Sequence, residues 1–590
     1  MKVQVPVIVK DPEVSRHKGV HPTEPVEIDT EDRYLDGPIS PRVAVLDFEP
    51  KSGQLAPGVK FLPPARLEDA GSYQIDEPVT TGGQVSREAG AVSLFGAIHK
   101  TIKLFEEEDA LGRPIAWGFD SPQLLAIPRA GDLANAFYER ASHSVQFFSF
   151  DTEGTTVFTG HSQDIVAHET AHAIFDGVAP DLYDALTPQS LAIHESVADL
   201  TAVLCALRSE ELVRGVVEGG GTIYDSNVFS GIAEQFAGAL DNQRDYLRNL
   251  NNTKSLQTKA SASDRVDRRD PHDLSQVLSG ALYQVLIHIF EELQGEYHTK
   301  DTASQEIVES EEADYSVAQA RQYAPDKSAG PTPAIKALWV AGQRFKRTLY
   351  RGLDYLPPGD VTFADLGRTV LAADKASHPG SSRQREHLVK EFLARGIVSS
   401  ATELDAPTNF EHPSMKKVDL DDLINSNYIA YSFVNDNRQL LNIPSDVTFE
   451  VRPRLSVTRS YWHRDGKQLV SEVLLKVRWT ETELGNVAGL PRKRRIDRGT
   501  TLAIEVPPAG SKTAPLIRTV VTTGRSDESK RDRTEFLKLL VDAEVLRLGD
   551  EAVGPTGKLL RGAVRGDVRD GALKISGTNR FLHVTGEPRR

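Results

Sequence analysis

The chain has 590 residues, a formal net charge of −15 and a single cysteine. This length exceeds one ordinary domain, and one cysteine excludes an intramolecular disulfide. The charge is acidic and the N-terminal half holds no long basic tract, so we expect no nucleic acid as substrate or partner.

The N-terminal segment predicts neither a signal peptide nor a membrane span. Pro6 interrupts its apolar stretch and charged residues follow at once, so the apolar core of a signal peptide is missing. No part of the chain reaches the roughly twenty apolar residues that a membrane span needs. As written, the sequence predicts a cytoplasmic protein. A secreted protein whose signal peptide had been removed would read in the same way.

Residues 1–87 are rich in proline, glycine and acidic side chains. Within them the run Val43–Phe48 is typical of a β-strand. We therefore expect a short N-terminal arm or small cap that contains some β-structure.

Residues 88–400 predict the main domain. A helical pattern over Ser93–Glu107 comes first, and β-like segments follow at Ser144–Phe150 and Thr155–Phe158. Most of the remaining pattern is helical. The segment 300–334 is acidic and polar, which is typical of an inserted loop.

The most informative motif is His168-Glu169-Thr170-Ala171-His172, which reads H-E-x-x-H. Apolar residues at helical spacing flank it and predict an amphipathic helix. Residues four apart share one face of a helix, so His168 and His172 can bind one metal ion. Glu169 can then reach a water molecule on that ion. The alternative is a helix whose histidines play no part in metal binding.

A second predicted helix, 190–208, is largely apolar and carries Glu195 and Asp199 on one face. Buried carboxylates need partners. Glu195 can supply a third metal ligand, and Asp199 can accept the other ring N–H of a ligating histidine. Two histidines, one carboxylate and an open position are typical of a hydrolytic zinc site, so the pattern predicts a zinc-dependent peptidase.

Together these motifs resemble those of the thermolysin-like gluzincins, H-E-x-x-H peptidases whose third ligand is the glutamate of an E-x-x-x-D helix. The resemblance covers about residues 88–400. It implies an α+β fold of two lobes, a β-containing N-lobe and a helical C-lobe. Asn135-Ala136-Phe137-Tyr138 resembles the family's edge strand, which pairs with an extended substrate, so Asn135 and Ala136 are predicted to bind substrate.

Three further positions carry roles that the resemblance implies. Tyr183 lies eleven residues after His172, where the family has a tyrosine that binds the tetrahedral intermediate. The segment Leu247-Arg248-Asn249-Leu250 resembles the family's L-R-S-M segment. Its arginine would contact the substrate carbonyl, and Leu247, with Ile165, would form an apolar pocket on the amine side of the cleaved bond.

The chain departs from the family pattern at the oxyanion-stabilising histidine, whose position is taken by Gln276. His272 lies four residues earlier, between Asp270 and Asp273, and an imidazolium paired with a carboxylate would suit the same role. We favour His272 as the oxyanion donor. The alternatives are that Gln276 donates instead, or that His272 is an ordinary loop residue.

A second departure concerns calcium. Asp164 matches one carboxylate of the family's paired calcium site, but Ala206 stands where another carboxylate is expected. The resemblance therefore implies only an incomplete Ca²⁺ site. The alternative is that Asp164 is simply an acidic residue near a helix N-terminus.

Residues 405–590 predict a separate β-rich domain. A helical pattern, Arg533–Leu546, follows the last long strand, and the charged stretches Arg492–Arg495 and Arg525–Arg533 are typical of exposed loops. The domain can recognise substrate, bind a regulatory partner or restrain the active site. The predicted strands are Val447–Val451, Leu455–Tyr461, Leu469–Val477, Thr501–Val506 and Leu516–Thr522.

The sequence thus predicts a zinc endopeptidase that acts on protein or peptide substrates with Glu169 as general base. A zinc aminopeptidase is one alternative, but its usual G-x-M-E-N strand is absent because methionine occurs only at Met1 and Met415. The other alternative is a catalytically restrained or non-catalytic zinc-binding protein that acts through its C-terminal domain.

Overall fold

A computed structural model describes most of the chain, and no helix in the described part is long and apolar enough to cross a membrane. The described ranges are 1–12, 21–49, 52–66, 68–80, 84–152, 155–218, 223–224, 227–232, 248–299, 332–377, 382–463, 466–508, 510–511, 513–549 and 564–578.

The N-terminal arm packs directly on the first long helix. Strand β1 (Val3–Ile8) pairs antiparallel with β2 (Thr23–Ile28), and its valines share one core with helix α1 (Arg87–Glu106). A Cβ at Gly96 would lie only 2.5 Å from Val7 Cγ2, so a glycine in α1 permits this close approach. The same part of the chain contains β3 (Val43–Val45), β4 (Phe61–Leu62) and β5 (Ser72–Tyr73).

A four-stranded sheet joins the arm to the predicted main domain. Its order is β3, then β6 (Leu124–Ile127), then β8 (Ser144–Phe147), then β7 (Ala136–Glu139). The first three strands run parallel, and β7 pairs antiparallel with β8 at the edge. The predicted edge strand is confirmed by this order. Strands β9 (Ser149–Thr152) and β10 (Thr155–Phe158) form a separate antiparallel pair.

Helices form most of the remainder up to residue 400. Helix α2 (Gln163–Val178) carries the H-E-x-x-H motif and begins at Ser162, whose side chain accepts a hydrogen bond from the Ile165 N–H. Helix α3 (Pro188–Ala206) is buried along its whole length, including the face that carries Glu195 and Asp199. The other elements are α4 (Glu210–Glu218), α5 (Asn227–Ser230), β11 (Gly231–Ile232), β12 (Arg248–Asn249), α6 (Pro271–Thr299), α7 (Pro333–Tyr355), α8 (Phe363–Ser377) and α9 (Arg383–Ala394).

The C-terminal part forms one mixed sheet of nine strands, so its predicted β-rich character is confirmed. Its longest strands are three consecutive antiparallel neighbours, β15, β16 and β17. The elements are β13 (Thr408–Phe410), α10 (Leu420–Asn425), α11 (Asn427–Asp436), β14 (Phe449–Val451), β15 (Leu455–His463), β16 (Gly466–Leu484), β17 (Lys493–Glu505), β18 (Leu516–Thr522), α12 (Asp527–Asp542), β19 (Leu546–Leu548), β20 (Val564–Arg569) and β21 (Ala572–Ser576).

Two predictions for this part are wrong. The stretch Arg525–Arg533 lies largely within α12, where Arg533 is 1% exposed and pairs with Glu483. The stretch Arg492–Arg495 enters β17, where Arg494 is 2% exposed and faces the same Glu483. Charge alone suggested exposed loops, but each buried arginine lies against a carboxylate that the folded sheet supplies.

The described elements mix helices with several sheets, so the predicted α+β class is confirmed. One apolar core extends from the first strand of the arm to Leu404. The C-terminal sheet has its own core with α10 and α11. Two smaller apolar clusters join the two parts. The thermolysin-like arrangement of two lobes stays a prediction.

Candidate metal centre

Helices α2 and α3 bring three potential ligands to one point. His168 and His172 approach through their Nε2 atoms, 3.1 Å apart. Each of these atoms lies 3.5 Å from a different carboxylate oxygen of Glu195. All three side chains are buried, and in the described part of the chain they are the one group of three that could hold a metal ion.

The donor set and its spacing fit zinc. In tetrahedral zinc sites the nitrogen and oxygen donors lie about 2.0–2.2 Å from the ion, which places donors about 3.3–3.6 Å from one another. The distances of 3.1, 3.5 and 3.5 Å are close to that spacing. Two imidazoles and one carboxylate are also a common set for catalytic zinc.

A second layer of contacts surrounds the ligands. The Nδ1 atom of His168 lies 2.9 Å from Asp199 Oδ1, as the helical spacing predicts. Arg248 reaches Glu195 Oε2 at 3.3 Å and Asp199 Oδ1 at 3.1 Å. Arg248 therefore spans both buried carboxylates of α3, which fixes their orientation toward the histidines.

The buried carboxylates of the site favour positive charge on the groups around them. Burial opposes charge on Glu195, but His272, His172 and His168 hold the pKa of this carboxyl well below its usual value. Burial also disfavours a charged His168, but Asp199 and Glu195 raise the pKa of its imidazole to about 10. The buried carboxylates thus keep a proton on His168, and a metal ion bound at the site would replace that proton.

Glu169 lies between the ligands and the edge strand. Its Oε2 atom accepts a hydrogen bond of 3.0 Å from the backbone N–H of Tyr138 in β7. Burial raises the pKa of Glu169 to about 7. Backbone groups along a strand alternate in direction, so the Ala136 carbonyl points to the same side as the Tyr138 N–H. The edge of β7 that is not paired with β8 therefore faces α2, the helix that carries the H-E-x-x-H motif.

Asn135 completes this end of the strand. Its side-chain oxygen accepts a hydrogen bond of 2.9 Å from the Ala136 N–H, and its own carbonyl accepts one of 3.2 Å from Thr159 Oγ1. The side chain thereby holds the backbone turn that leads into β7.

Tyr183 lies at the other end of β7. Its hydroxyl accepts a hydrogen bond of 3.2 Å from the Arg140 N–H, and the Arg140 guanidinium covers its ring at 4.1 Å. Arg140 in turn donates to the buried Asp176, one turn beyond His172. Tyr183 is thus held by a residue that follows the edge strand.

His272 and Gln276 are the two candidates for the oxyanion role, and their side chains contact different groups. His272, at the start of α6, points Nε2 at Glu195 Oε2, 3.5 Å away, and its Nδ1 lies 3.8 Å from Asp270. The Gln276 amide instead donates to Asp273 at 2.9 Å. His272 is therefore brought to the ligands, and its side chain remains 40% exposed.

The carboxylate of Asp164 pairs with a protein cation. Lys10 Nζ lies 3.1 Å from Asp164 Oδ2, and both side chains are almost fully buried. The same ammonium donates to the Gly231 carbonyl at 2.7 Å. Asp164 belongs to no candidate metal group among the described residues, so nothing in the geometry adds support to the predicted calcium site. Leu247 lies outside the described residues.

Sequence reasoning missed three contributors. His194 lies with its Nδ1 3.3 Å from His172 Nδ1, and its only signal was its place beside Glu195. The Tyr138 N–H is a backbone group and leaves no mark in a sequence. Lys10 is the first charged residue after an apolar run. Its partner, Asp164, is 154 residues further along the chain (164 minus 10), so the pair could not be read from the sequence.

Comparison with protein-family models and with curated proteins found no match for this chain. The functional argument therefore depends on the residues and geometry of the site.

Proposed function

We propose that this chain is a zinc-dependent endopeptidase. The observation that carries the proposal is the convergence of His168, His172 and Glu195 beside Glu169, on the side of β7 that is open to a peptide. A structural zinc site is almost always closed by a fourth protein ligand. Here an unligated carboxylate and a strand edge lie next to the cluster.

His168, His172 and Glu195 would hold zinc, which would polarise the scissile carbonyl and lower the pKa of a water molecule. Glu169 is the general base in this proposal: it takes the proton from the attacking water and passes it to the leaving amine. The Tyr138 N–H keeps one carboxylate oxygen of Glu169 fixed, and the other is proposed to accept the proton. Because the side chain is buried, bulk water does not compete for it.

The substrate is proposed to bind as an added strand. An extended peptide lying along β7 would donate to the Ala136 carbonyl, and binding of this kind depends on the backbone more than on side chains. Asn135 supports that geometry through its bond to the Ala136 N–H. An apolar side chain after the cleaved bond is the expected preference, since Ile165 packs at the margin of the apolar core.

Tyr183 and His272 are proposed to stabilise the developing oxyanion. Arg140 fixes the Tyr183 hydroxyl, and Asp270 lies beside the partly exposed imidazole of His272. Removal of one oxyanion donor typically lowers the rate by about 100- to 1,000-fold.

The test is digestion of casein by the purified chain, with its zinc content measured in the same preparation. We expect cleavage that 1,10-phenanthroline abolishes and that Glu169→Gln abolishes while zinc is retained. Glu386→Gln, at an exposed position on α9, is the matched control and should cleave like wild type. Cleavage that survives Glu169→Gln, or a preparation that binds no zinc, would contradict the proposal.

A further inference from the structure

The segment that connects the two ligand helices is held by the C-terminal domain. It runs from the short 3₁₀ turn Pro180–Leu182 through Tyr183 to the start of α3. It therefore links the proposed oxyanion donor to the helix that carries Glu195. Five residues of this segment contact either the C-terminal domain or Asp360, whose backbone N–H donates to the Asp497 carbonyl of β17: Asp181, Asp184, Ala185, Leu186 and Thr187.

The first half of the segment is held through charges and backbone groups. Asp181 pairs with Arg452 and lies 3.2 Å from Arg478, and both arginines belong to the C-terminal sheet region. The next contacts come from the end of β21. The Gly577 N–H donates to Asp184 at 2.7 Å, and Thr578 Oγ1 donates to the Ala185 carbonyl at 2.8 Å.

The second half is held at Thr187, the residue before α3. Its hydroxyl accepts from the buried Arg533 of α12 at 3.3 Å and donates to Asp360 at 3.0 Å. Asp360 also accepts from the Leu186 N–H, while its own N–H donates to the Asp497 carbonyl in β17. The start of α3 is thereby tied to both α12 and β17.

Apolar packing supports the same attachment. Leu186 and Leu191 belong to an apolar cluster whose other members come from the C-terminal domain. Both leucines are buried, with 5% and 0% of their surface exposed. Those other buried members are Val487, Ile496, Phe536, Leu537, Leu540, Val564, Leu573 and Ile575.

We infer that the C-terminal domain is a positioning element for catalysis, and that Arg452 and Thr578 are positioning residues for Tyr183 and Glu195. The inference rests on the proposed function, since it assigns the domain a role in that site. Arg452 and Thr578 contact the connecting segment and not the three candidate metal ligands. They fix the connecting segment, and a misplacement of about 1 Å at a catalytic group can lower a rate by up to about 100-fold.

The experiment compares two double variants of the full chain. Arg452→Met/Thr578→Val removes one ion pair and one buried hydroxyl from the connecting segment. The matched control, Arg565→Met/Thr500→Val, removes an arginine paired with Asp567 and an equally buried hydroxyl that bonds the Val521 carbonyl in the same sheet. Each pair is made with and without Tyr183→Phe.

Two measurements are made on each variant: amide hydrogen exchange of residues 181–190, and kcat and KM for peptide cleavage. For Arg452→Met/Thr578→Val we expect faster exchange over 181–190 and kcat lowered by about tenfold with KM nearly unchanged. In the Tyr183→Phe background the same pair should lower kcat less than in wild type, because Tyr183, one of the two groups that it positions, is already missing. The control pair should change neither quantity.

Unchanged exchange over 181–190 would overturn the inference, and so would a loss of kcat of equal size in both backgrounds. The proposed function fails separately, if the wild type cuts no peptide. In that case the absorption spectrum of the cobalt-substituted protein decides the positioning role. A spectrum altered in Arg452→Met/Thr578→Val and not in the control supports it, and an unaltered spectrum overturns it.

Discussion

Asp199 determines the orientation of two other residues of the site, because it lies against His168 Nδ1 and the Arg248 guanidinium at once. We expect Asp199→Asn to lower zinc affinity by about 10- to 100-fold, the usual cost of losing a carboxylate behind a ligating histidine. The measurement is zinc competition against a chromogenic chelator. Asp374→Asn, which removes another buried carboxylate, paired with Arg385, is the control. Equal zinc affinity in the two variants would contradict this role of Asp199.

Glu31 illustrates how burial of one carboxyl makes stability depend on pH. Burial raises the pKa of Glu31 to about 7, and its neighbour His99, 3.9 Å away, has a pKa lowered to about 3 by burial. The folded state holds the Glu31 proton more tightly than the unfolded chain does. The contribution of Glu31 to stability is therefore present below its unfolded pKa and is lost as pH rises through about 7.

We expect Glu31→Gln to remove this loss. Between pH 5 and pH 8, the wild type should lose on the order of 2 kcal/mol more unfolding free energy than the variant. Urea unfolding at the two pH values measures the difference. Glu27→Gln, at an exposed position paired with Lys2, serves as the control and should follow wild type. A Glu31→Gln variant with the pH profile of wild type would contradict the prediction.

Four residues of the metal centre were predicted from helical periodicity, which sets their spacing within a short motif. His168 and His172 are one turn apart, and so are Glu195 and Asp199, so a one-dimensional pattern records both pairs. Arg248 came from the resemblance, whereas His272 was favoured for its place between two aspartates where the chain departs from the family pattern. The structure brings both side chains to Glu195. Contacts between distant segments, such as Tyr138 with Glu169, depend on the packing of β7 against α2 and could not be read from spacing.

At the scale of single elements, one buried ion pair attaches the end of β1 to α2. Lys10 follows β1, and Asp164 lies in the first turn of α2. We expect Lys10→Met to destabilise the protein by about 3–5 kcal/mol, because it leaves the Asp164 carboxylate buried without its cation. The double variant Lys10→Met/Asp164→Leu should recover most of that loss.

Thermal or urea unfolding of the wild type, Lys10→Met and Lys10→Met/Asp164→Leu tests this attachment. Lys2→Met is the control, since Lys2 and Glu27 form an exposed pair with side chains about half accessible. Such a pair contributes about 0–1 kcal/mol. If Lys10→Met were no more destabilising than Lys2→Met, the ammonium would have no role in holding the arm to α2.

Elements were predicted well where side-chain alternation or apolar content marks them. The strand Leu516–Thr522 has the predicted bounds, whereas the predicted strand Thr501–Val506 is only the end of β17, Lys493–Glu505. The first half of that strand is rich in lysine and arginine, so its sequence resembles that of a solvated loop. Its charges are paired across the sheet, for example Arg494 with Glu483, and cross-strand pairing cannot be seen from one strand alone.

At the scale of the whole molecule, the two parts share buried groups as well as a covalent link. Asp354 at the end of α7 is fully buried, 2.6 Å from Arg113 and paired with Arg459 of β15. The Tyr355 hydroxyl donates to Glu472 of β16 at 2.7 Å. An apolar cluster surrounds these contacts and contains residues of both parts: Tyr355, Ala372, Ala373, Val457, Leu474, Ala503 and Val521.

This shared interior leads us to expect that the chain unfolds as one cooperative unit. Buried ion pairs fix how the parts meet but contribute little net stability, so the apolar clusters supply the coupling. A ligand that binds only the folded state stabilises whatever unfolds with its site. Zinc at about 100 times its dissociation constant adds about 2.7 kcal/mol, and that increment should reach the C-terminal sheet.

Native-state hydrogen exchange with and without zinc measures the increment in each element. We expect the slowest amides of β17 to gain the same protection free energy as those of α3, since both report on global unfolding. Protection that rises in α3 alone would show that the C-terminal sheet unfolds independently. Unfolding of the C-terminal sheet would then leave α3 folded. The contacts at Asp181, Ala185 and Thr187 would be too weak to couple the stability of the sheet to that of α2 and α3.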